Sequence, residues 1–366
     1  MNHIAYDYRA RKARKQMKGL GKHPYFVYFI AVGLLLLVLL LNTISADIVA
    51  NSVIRDISRL IHYYIASLGL CLLLGYGGLA SLGTAGFMGV GAYVVTVLFK
   101  MNPVDAVTIP LTLTVLVAIG ISIIIGVSVG FISLRIEGIF LAIVTLGLSE
   151  MLVSIFKNWI DVTGGDSGLS FYPLRTFGNI RLGDREIYII FVILMLIILI
   201  MTVNIMRSPT GRAMLAMKNS TSAAQAMGVN ILNYRLMSFI FATAYAALAG
   251  SMSAIMIQAV YPVTWSLALS LNLLAAVVIG GMKSIGGTAA GVMVVFGMRP
   301  FVYDHIPFFR TYPDAPYIFN GILIIIIVMF YPGGLARLPY DIMNISKKLY
   351  KKWRVYRYGQ DDVQTI

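Results

Sequence analysis

Ile187-Tyr-Ile-Ile-Phe-Val-Ile-Leu-Met-Leu-Ile-Ile-Leu-Ile-Met-Thr-Val-Asn-Ile-Met206 carries no charge over twenty residues and ends at Arg207-Ser-Pro-Thr-Gly-Arg212. A helix crossing the hydrocarbon core of a bilayer needs about 20 predominantly apolar residues. The stretch therefore reads as a membrane span, and Ser208-Pro209 with Gly211 reads as the break that ends it. Working outward, similar apolar segments lie near residues 25–43, 60–80, 84–100, 107–131 and 138–156 on one side, and near 236–258, 266–282, 286–300 and 317–331 on the other. The segments at 84–100, 266–282 and 286–300 are Gly-rich and broken, which suits half-helices or re-entrant pieces. The expected fold is an all-α polytopic membrane protein with 8–10 transmembrane helices.

Composition agrees. Of the 366 residues 59% are hydrophobic and 12% charged, against about 45–50% and 25% in soluble domains. The single cysteine, Cys71, lies inside an apolar run, which excludes an intrachain disulfide framework and a four-cysteine metal site. A formal charge of +14 raises nucleic-acid binding as a class. The basic residues, however, gather in two tails beside apolar segments, where orientation in a membrane explains them. The first apolar run follows more than twenty residues rich in basic groups and lacks a small-residue cleavage site, so it reads as an uncleaved helix. The organisation expected is a basic cytoplasmic N-terminal tail (1–24), a transmembrane domain (25–336) and a basic cytoplasmic C-terminal tail (337–366). With ten spans, the loop from Arg207 to Arg235 falls inside and the loop 157–186, which mixes both signs of charge, falls outside.

Three stretches are unlike lipid filler. The first is Gly75-Tyr-Gly-Gly-Leu-Ala-Ser-Leu-Gly-Thr-Ala-Gly-Phe-Met-Gly-Val-Gly-Ala-Tyr93. Its glycines serve either close helix packing or a broken helix whose backbone, with Ser81, Gly83, Thr84 and Gly86, lines a path. Part of it, Ser81-Leu-Gly-Thr-Ala-Gly86, is echoed by Ser284-Ile-Gly-Gly-Thr-Ala-Ala-Gly291, a candidate parallel internal repeat. The second runs from Leu134 to Glu150 and contains Thr145; the three-and-four spacing puts Glu150 on one face with Gly147 and Ser154. A carboxylate in an apolar helix is expensive, so it serves either a pathway or an interhelical hydrogen bond.

The third stretch is the polar insertion 207–230, whose Ala- and Met-rich run suits a short helix closed by Gly228 in the left-handed conformation. It is either a plain connection or a docking element. In the second case Ala223, Ala224 and Ala226 sit flush in a partner's groove, with Arg212 and Lys218 meeting acidic groups on its rim.

In this order and spacing the stretches resemble the permease subunits of ABC importers of the branched-chain amino acid type. The likeness rests on the Gly-rich segment ending in Gly91-Ala-Tyr93, on Ala142-Ile-Val-Thr-Leu146 followed by Glu150, and on Thr163-Gly-Gly165. It extends to Ser208-Pro-Thr-Gly-Arg-Ala213 leading into Ala223-Ala-Gln-Ala-Met-Gly-Val-Asn230, to Val278–Gly287 and to Tyr331-Pro-Gly-Gly-Leu335. The resemblance implies a subunit that is not itself an enzyme. It implies partners as well: cytoplasmic ATP-binding subunits that hold ATP and Mg²⁺, a second identical or homologous permease, and an extracytoplasmic binding protein. It further implies a coupling helix within 207–230, with Arg207, Ser208 and Gly211 at its start, and a multi-pass location in a bacterial cell membrane. Thr84 replaces the larger polar residue of many members and leaves urea, nucleosides or sugars open beside amino acids. The chain contains no Gly-x-x-x-x-Gly-Lys-Ser/Thr, so nucleotide chemistry is expected from another subunit. An ion-coupled secondary carrier is the rival class, but it usually leaves several intramembrane charges, and Glu150 is the single deep carboxylate in the sequence reading.

Overall fold

The computed structural model describes residue 33 and residues 51–100, 111–133, 139–170, 176–177, 180–312, 315–330 and 334–337. But for Gly33 and Arg337, the span expected at 25–43 and both basic tails lie outside these residues. The chain within them is a helical bundle. Helix α1 (Asn51–Leu70) continues into a π-helical stretch, Cys71–Gly77, and is followed by α2 (Thr84–Lys100), α3 (Leu111–Ser133) and α4 (Ile139–Asn158). Then come α5 (Asp184–Arg207), two short helices α6 (Pro209–Asn219) and α7 (Thr221–Ala226), and α8 (Ile231–Ile257). The described part closes with α9 (Leu267–Gly280), α10 (Ile285–Val292), whose path continues helically to Phe301, and α11 (Ala315–Phe330).

Among the described residues five helical stretches are long and apolar enough to span, 51–77, 111–128, 140–158, 184–207 and 231–257, while 84–100, 267–280 and 285–301 are shorter apolar helices. The shorter three are the Gly-rich segments marked as broken. The largest change of boundary among the described residues is at the start of α1. The helix expected at 60–80 begins at Asn51, because its charged opening turns have partners. Arg55 lies 3.8 Å from Asp184, and Arg59 lies 3.6 Å from Asp56.

The core forms around α8, which packs on α1, α2 and α3. Its membrane stretch is 78% buried, whereas that of α3 is 28% buried. Apolar side chains on the outer face of α3, Leu116 and Ile124 among them, are exposed and supply the lipid surface. Contact between α2 and α8 is backbone on backbone, since a Cβ at Gly91 would strike the Ala247 carbonyl and one at Gly250 the Met88 carbonyl.

The two ends of the bundle are distinct. At one end the loop after α4 pairs Leu169–Ser170 antiparallel with Ala259–Val260 beyond α8, and Arg55 meets Asp184 there. At the opposite end α6 and α7 lie against the bundle, with α6 touching the π-helical stretch. The loop 157–186 and the segment 207–230 thus occupy opposite ends, as the parity of spans requires.

Candidate functional site

The first Gly-rich stretch is a helix break. The π-helical stretch stops at Gly78, whose φ of 72° turns the backbone left-handed and lets its N–H reach the Leu73 carbonyl; an L side chain there is strained. The chain restarts as a helix at Thr84. A helix beginning inside a membrane protein leaves N–H groups without intrahelical partners. Here hydroxyls on other helices accept them. Thr145 Oγ1 takes the Leu82 N–H at 3.0 Å and Ser149 Oγ the Gly86 N–H at 3.1 Å, both from α4. Ser270 Oγ on α9 takes the Ala85 N–H at 3.0 Å, and Ser81 Oγ takes the Gly83 N–H at 3.2 Å.

Ser81, Thr84 and Thr145 are all buried, and a Cβ on Gly83 or Gly86 would come within 2.9 Å of the Thr145 carbonyl or the Ser149 hydroxyl. A cavity of about 10 Å³ adjoins them, lined by Leu73, Ser81, Thr84, Phe87, Phe239 and Thr243. That holds about one water, whereas ligand pockets run to about 300 Å³ or more. Ser81, Gly83, Thr84, Gly86 and Thr145, all predicted for a pathway, are thus brought together around a space too small for a substrate. Ser149 and Ser270 were missed by the sequence reading, although serine inside an apolar helix is the signal that marks them.

Glu150 stands apart. It shares the expected face with Gly147 and Ser154, and all three are exposed. Phe140, Ile143 and Asn158 continue the same exposed stripe, and among the described residues nothing approaches the Cβ position of Gly147 within 4 Å. The carboxylate lies eight residues, or roughly 12 Å, from the C-terminal end of α4.

The insertion 207–230 forms two helices where one was expected. Ser208 caps α6 by accepting the Gly211 N–H at 3.3 Å, with Pro209 in the first turn. Ser220 leaves helical geometry and caps α7 through the Ala223 N–H at 3.3 Å. Gly228, with φ 81°, closes α7 as expected, the Val229 N–H returning to the Ala224 carbonyl and the Gly228 N–H to that of Gln225, both at 3.0 Å. Two assignments change. Ala224 is buried against the bundle, while Ala223, Ala226 and Met227 face outward, so Ala224 is a packing residue of the chain itself. Lys218, expected on the outer rim, turns inward and donates from Nζ to the carbonyls of Leu74 at 2.7 Å and Gly75 at 3.1 Å. Arg212 stays exposed and donates to the Arg207 carbonyl at 3.2 Å. The inner face of α6 is Gly211, Met214 and Met217, all buried.

Comparison with known proteins addresses the same region. A family model described as branched-chain amino acid transport system, permease component, matches residues 52–328. The high-affinity branched-chain amino acid transport system permease protein LivM of Escherichia coli strain K12 is 28% identical over 298 residues, covering 75% of this chain and 67% of its own length. A probable branched-chain amino acid transport permease protein LivM of Methanocaldococcus jannaschii is 25% identical over 316 residues, covering 75% of this chain and 90% of its own. The fructose import permease protein FrcC of Rhizobium meliloti is 27% identical over 221 residues, 57% of this chain and 61% of its own. No solved structure gives a significant match.

Proposed function

The chain belongs to the permease-component family of branched-chain amino acid transport systems, and from that premise we propose that it forms one half of the membrane path of an ATP-driven importer of branched-chain amino acids. The observation that carries this reading is the exposed stripe Gly147–Glu150–Ser154 on a membrane helix. An ionised carboxylate facing lipid at mid-membrane costs about 2.5–3.5 kcal/mol or more, so such groups face protein or water. A second permease subunit, identical or homologous, covers the stripe, and small residues at positions 147 and 154 let the two helices approach closely. The path then runs between the subunits, with Ser81, Thr84 and the hydroxyls of α4 behind it.

The segment 207–230 is the docking element for the ATP-binding subunit, which binds ATP and Mg²⁺. Its outward residues Arg212, Ala223, Ala226 and Met227 make the contact. The basic tails and this segment lie in the cytoplasm, the loop 157–186 faces the extracytoplasmic binding protein, and the membrane is that of a bacterial cell.

Reconstitution tests the proposal. In proteoliposomes holding this chain, its second permease and the ATPase, with binding protein outside, leucine uptake is expected to require ATP. Glu150→Gln is expected to insert normally and to lose most uptake. Uptake by this chain alone on a proton or sodium gradient would transfer it to the ion-coupled carriers. Likeness to a fructose permease favours a sugar as the second reading, and transport of fructose with no transport of leucine would establish it.

A further inference from the structure

We propose that Lys218 is the positioning residue through which the docking segment controls the helix break at Gly78, linking the site of ATPase contact to Ser81 and Thr84. This rests on the docking role given to 207–230 above. The last carbonyls of any helix lack intrahelical partners. At the end of Cys71–Gly77 the Leu73 carbonyl is taken by the N–H groups of Gly78 and Leu79. Those of Leu74 and Gly75 are taken by one ammonium from a helix more than 140 residues later, Lys218 Nζ. A cation at the negative end of a helix is favourably placed, and its hydrogen bonds are charge-assisted.

The contact is more than an ion over a carbonyl. The stem of Lys218 lies along the turn itself, with Cγ 3.0 Å from where a Cβ of Gly78 would stand. Burial pulls the lysine's pKa below its ordinary value, and nearby Lys283 acts in the same direction. Met214 and Met217, one turn and one residue earlier on α6, are buried beside it, so α6 cannot shift without carrying Lys218 along. Three residues beyond Gly78 stands Ser81, on the wall of the small cavity. Outer and inner faces of the segment therefore have separate tasks. Arg212, Ala223 and Met227 meet the partner, while Lys218 grips the break.

The test uses the complete importer in proteoliposomes and Lys218→Met, which keeps an apolar stem and removes the donor. ATPase co-purification and basal hydrolysis are expected at wild-type levels. Stimulation of hydrolysis by leucine-loaded binding protein, and leucine uptake, are expected to fall about tenfold or more, as the loss of a hydrogen bond from a charged group allows. Lys218→Arg, which retains a donor, is expected to restore much of both. A purely structural contact would show as a loss of folded protein in Lys218→Met, and that result overturns the proposal. So does unchanged stimulation and uptake, and so does loss of ATPase co-purification, which would make Lys218 a docking residue. If the wild-type complex transports without ATP, the docking reading fails instead, whatever Lys218→Met does.

Discussion

Gly78, with φ 72°, and Gly281, with φ 109°, each end a helix, and each is followed three residues later by a serine, Ser81 and Ser284, that precedes a new Gly-rich helix. The two turns also touch, since a Cβ on Gly75 would strike the Met282 carbonyl. Their support differs. Around Gly281 the N–H groups that open the new helix are satisfied within the turn, and two carbonyls accept from the first helix, that of Met282 from Cys71 Sγ at 3.4 Å and that of Ile285 from the Tyr64 hydroxyl at 3.1 Å. The Ser284 N–H reaches the Gly281 carbonyl at 2.9 Å, Ser284 Oγ accepts the Gly287 N–H at 3.0 Å, and Thr288 Oγ1 donates to the Ser284 carbonyl at 3.0 Å. Around Gly78 the polar groups depend on Thr145, Ser149, Ser270 and Lys218, contributed by three other helices. A turn that is satisfied locally keeps its shape when its neighbours move; one satisfied by its neighbours reports their positions. The second break reads as structural and the first as responsive.

Substitutions test that contrast. The largest effect is expected at the structural break. Gly291→Leu would drive a side chain into the Ala276 carbonyl and part α10 from α9, at a cost of about 3 kcal/mol, the top of the usual overpacking range. The melting temperature in detergent measures it, and a wild-type value would remove the claim that this break is rigidly packed. Next is a matched pair. Thr145→Val strands the half-buried Leu82 N–H, expected to cost about 1–3 kcal/mol and to reduce transport without loss of ATPase binding. Thr288→Val removes a bond from a threonine to its own helix, expected to cost under about 1 kcal/mol. Equal losses of stability and transport in the two variants would erase the distinction. Smallest for the bundle are changes in the docking segment. Gly228→Val is strained by its backbone alone, about 1–2 kcal/mol, because nothing lies within 4 Å of its Cβ position. Ala223→Trp is expected to leave melting within about 0.5 kcal/mol. Both are expected to weaken co-purification of the ATPase, and normal co-purification would leave α7 without a partner.

Much of the fold was legible because membrane helices announce themselves through length and composition. The uncharged run 187–206 became α5, 184–207, and the three Gly-rich segments became the three short helices. What escaped the sequence reading depends on contacts between distant residues. Arg55, Asp56 and Arg59 precede the helix start expected near residue 60, yet Asp184, at the start of α5, gives Arg55 a partner within α1. Ala223, Ala224 and Ala226 are alike as residues; packing on the bundle alone decides that Ala224 is the one turned in. For Lys218 the charge suggested a rim, and only the proximity of two free carbonyls shows why a long side chain turns inward. The shared face of Gly147, Glu150 and Ser154 followed from spacing, whereas its exposure among the described residues did not.

The π-helical stretch Cys71–Gly77 gives the responsive break something like a gear tooth. One extra residue is held in a widened turn, and a second such stretch, Met293–Gly297, lies beyond the structural break. Were the widened turn to migrate along the helix, each residue it passed would advance about 1.5 Å and rotate about 100°. Such a shift exchanges one hydrogen-bond register for another and melts nothing. The carbonyls that Lys218 holds, those of Leu74 and Gly75, belong to this turn, so the register of the widened turn and the position of α6 are a single setting.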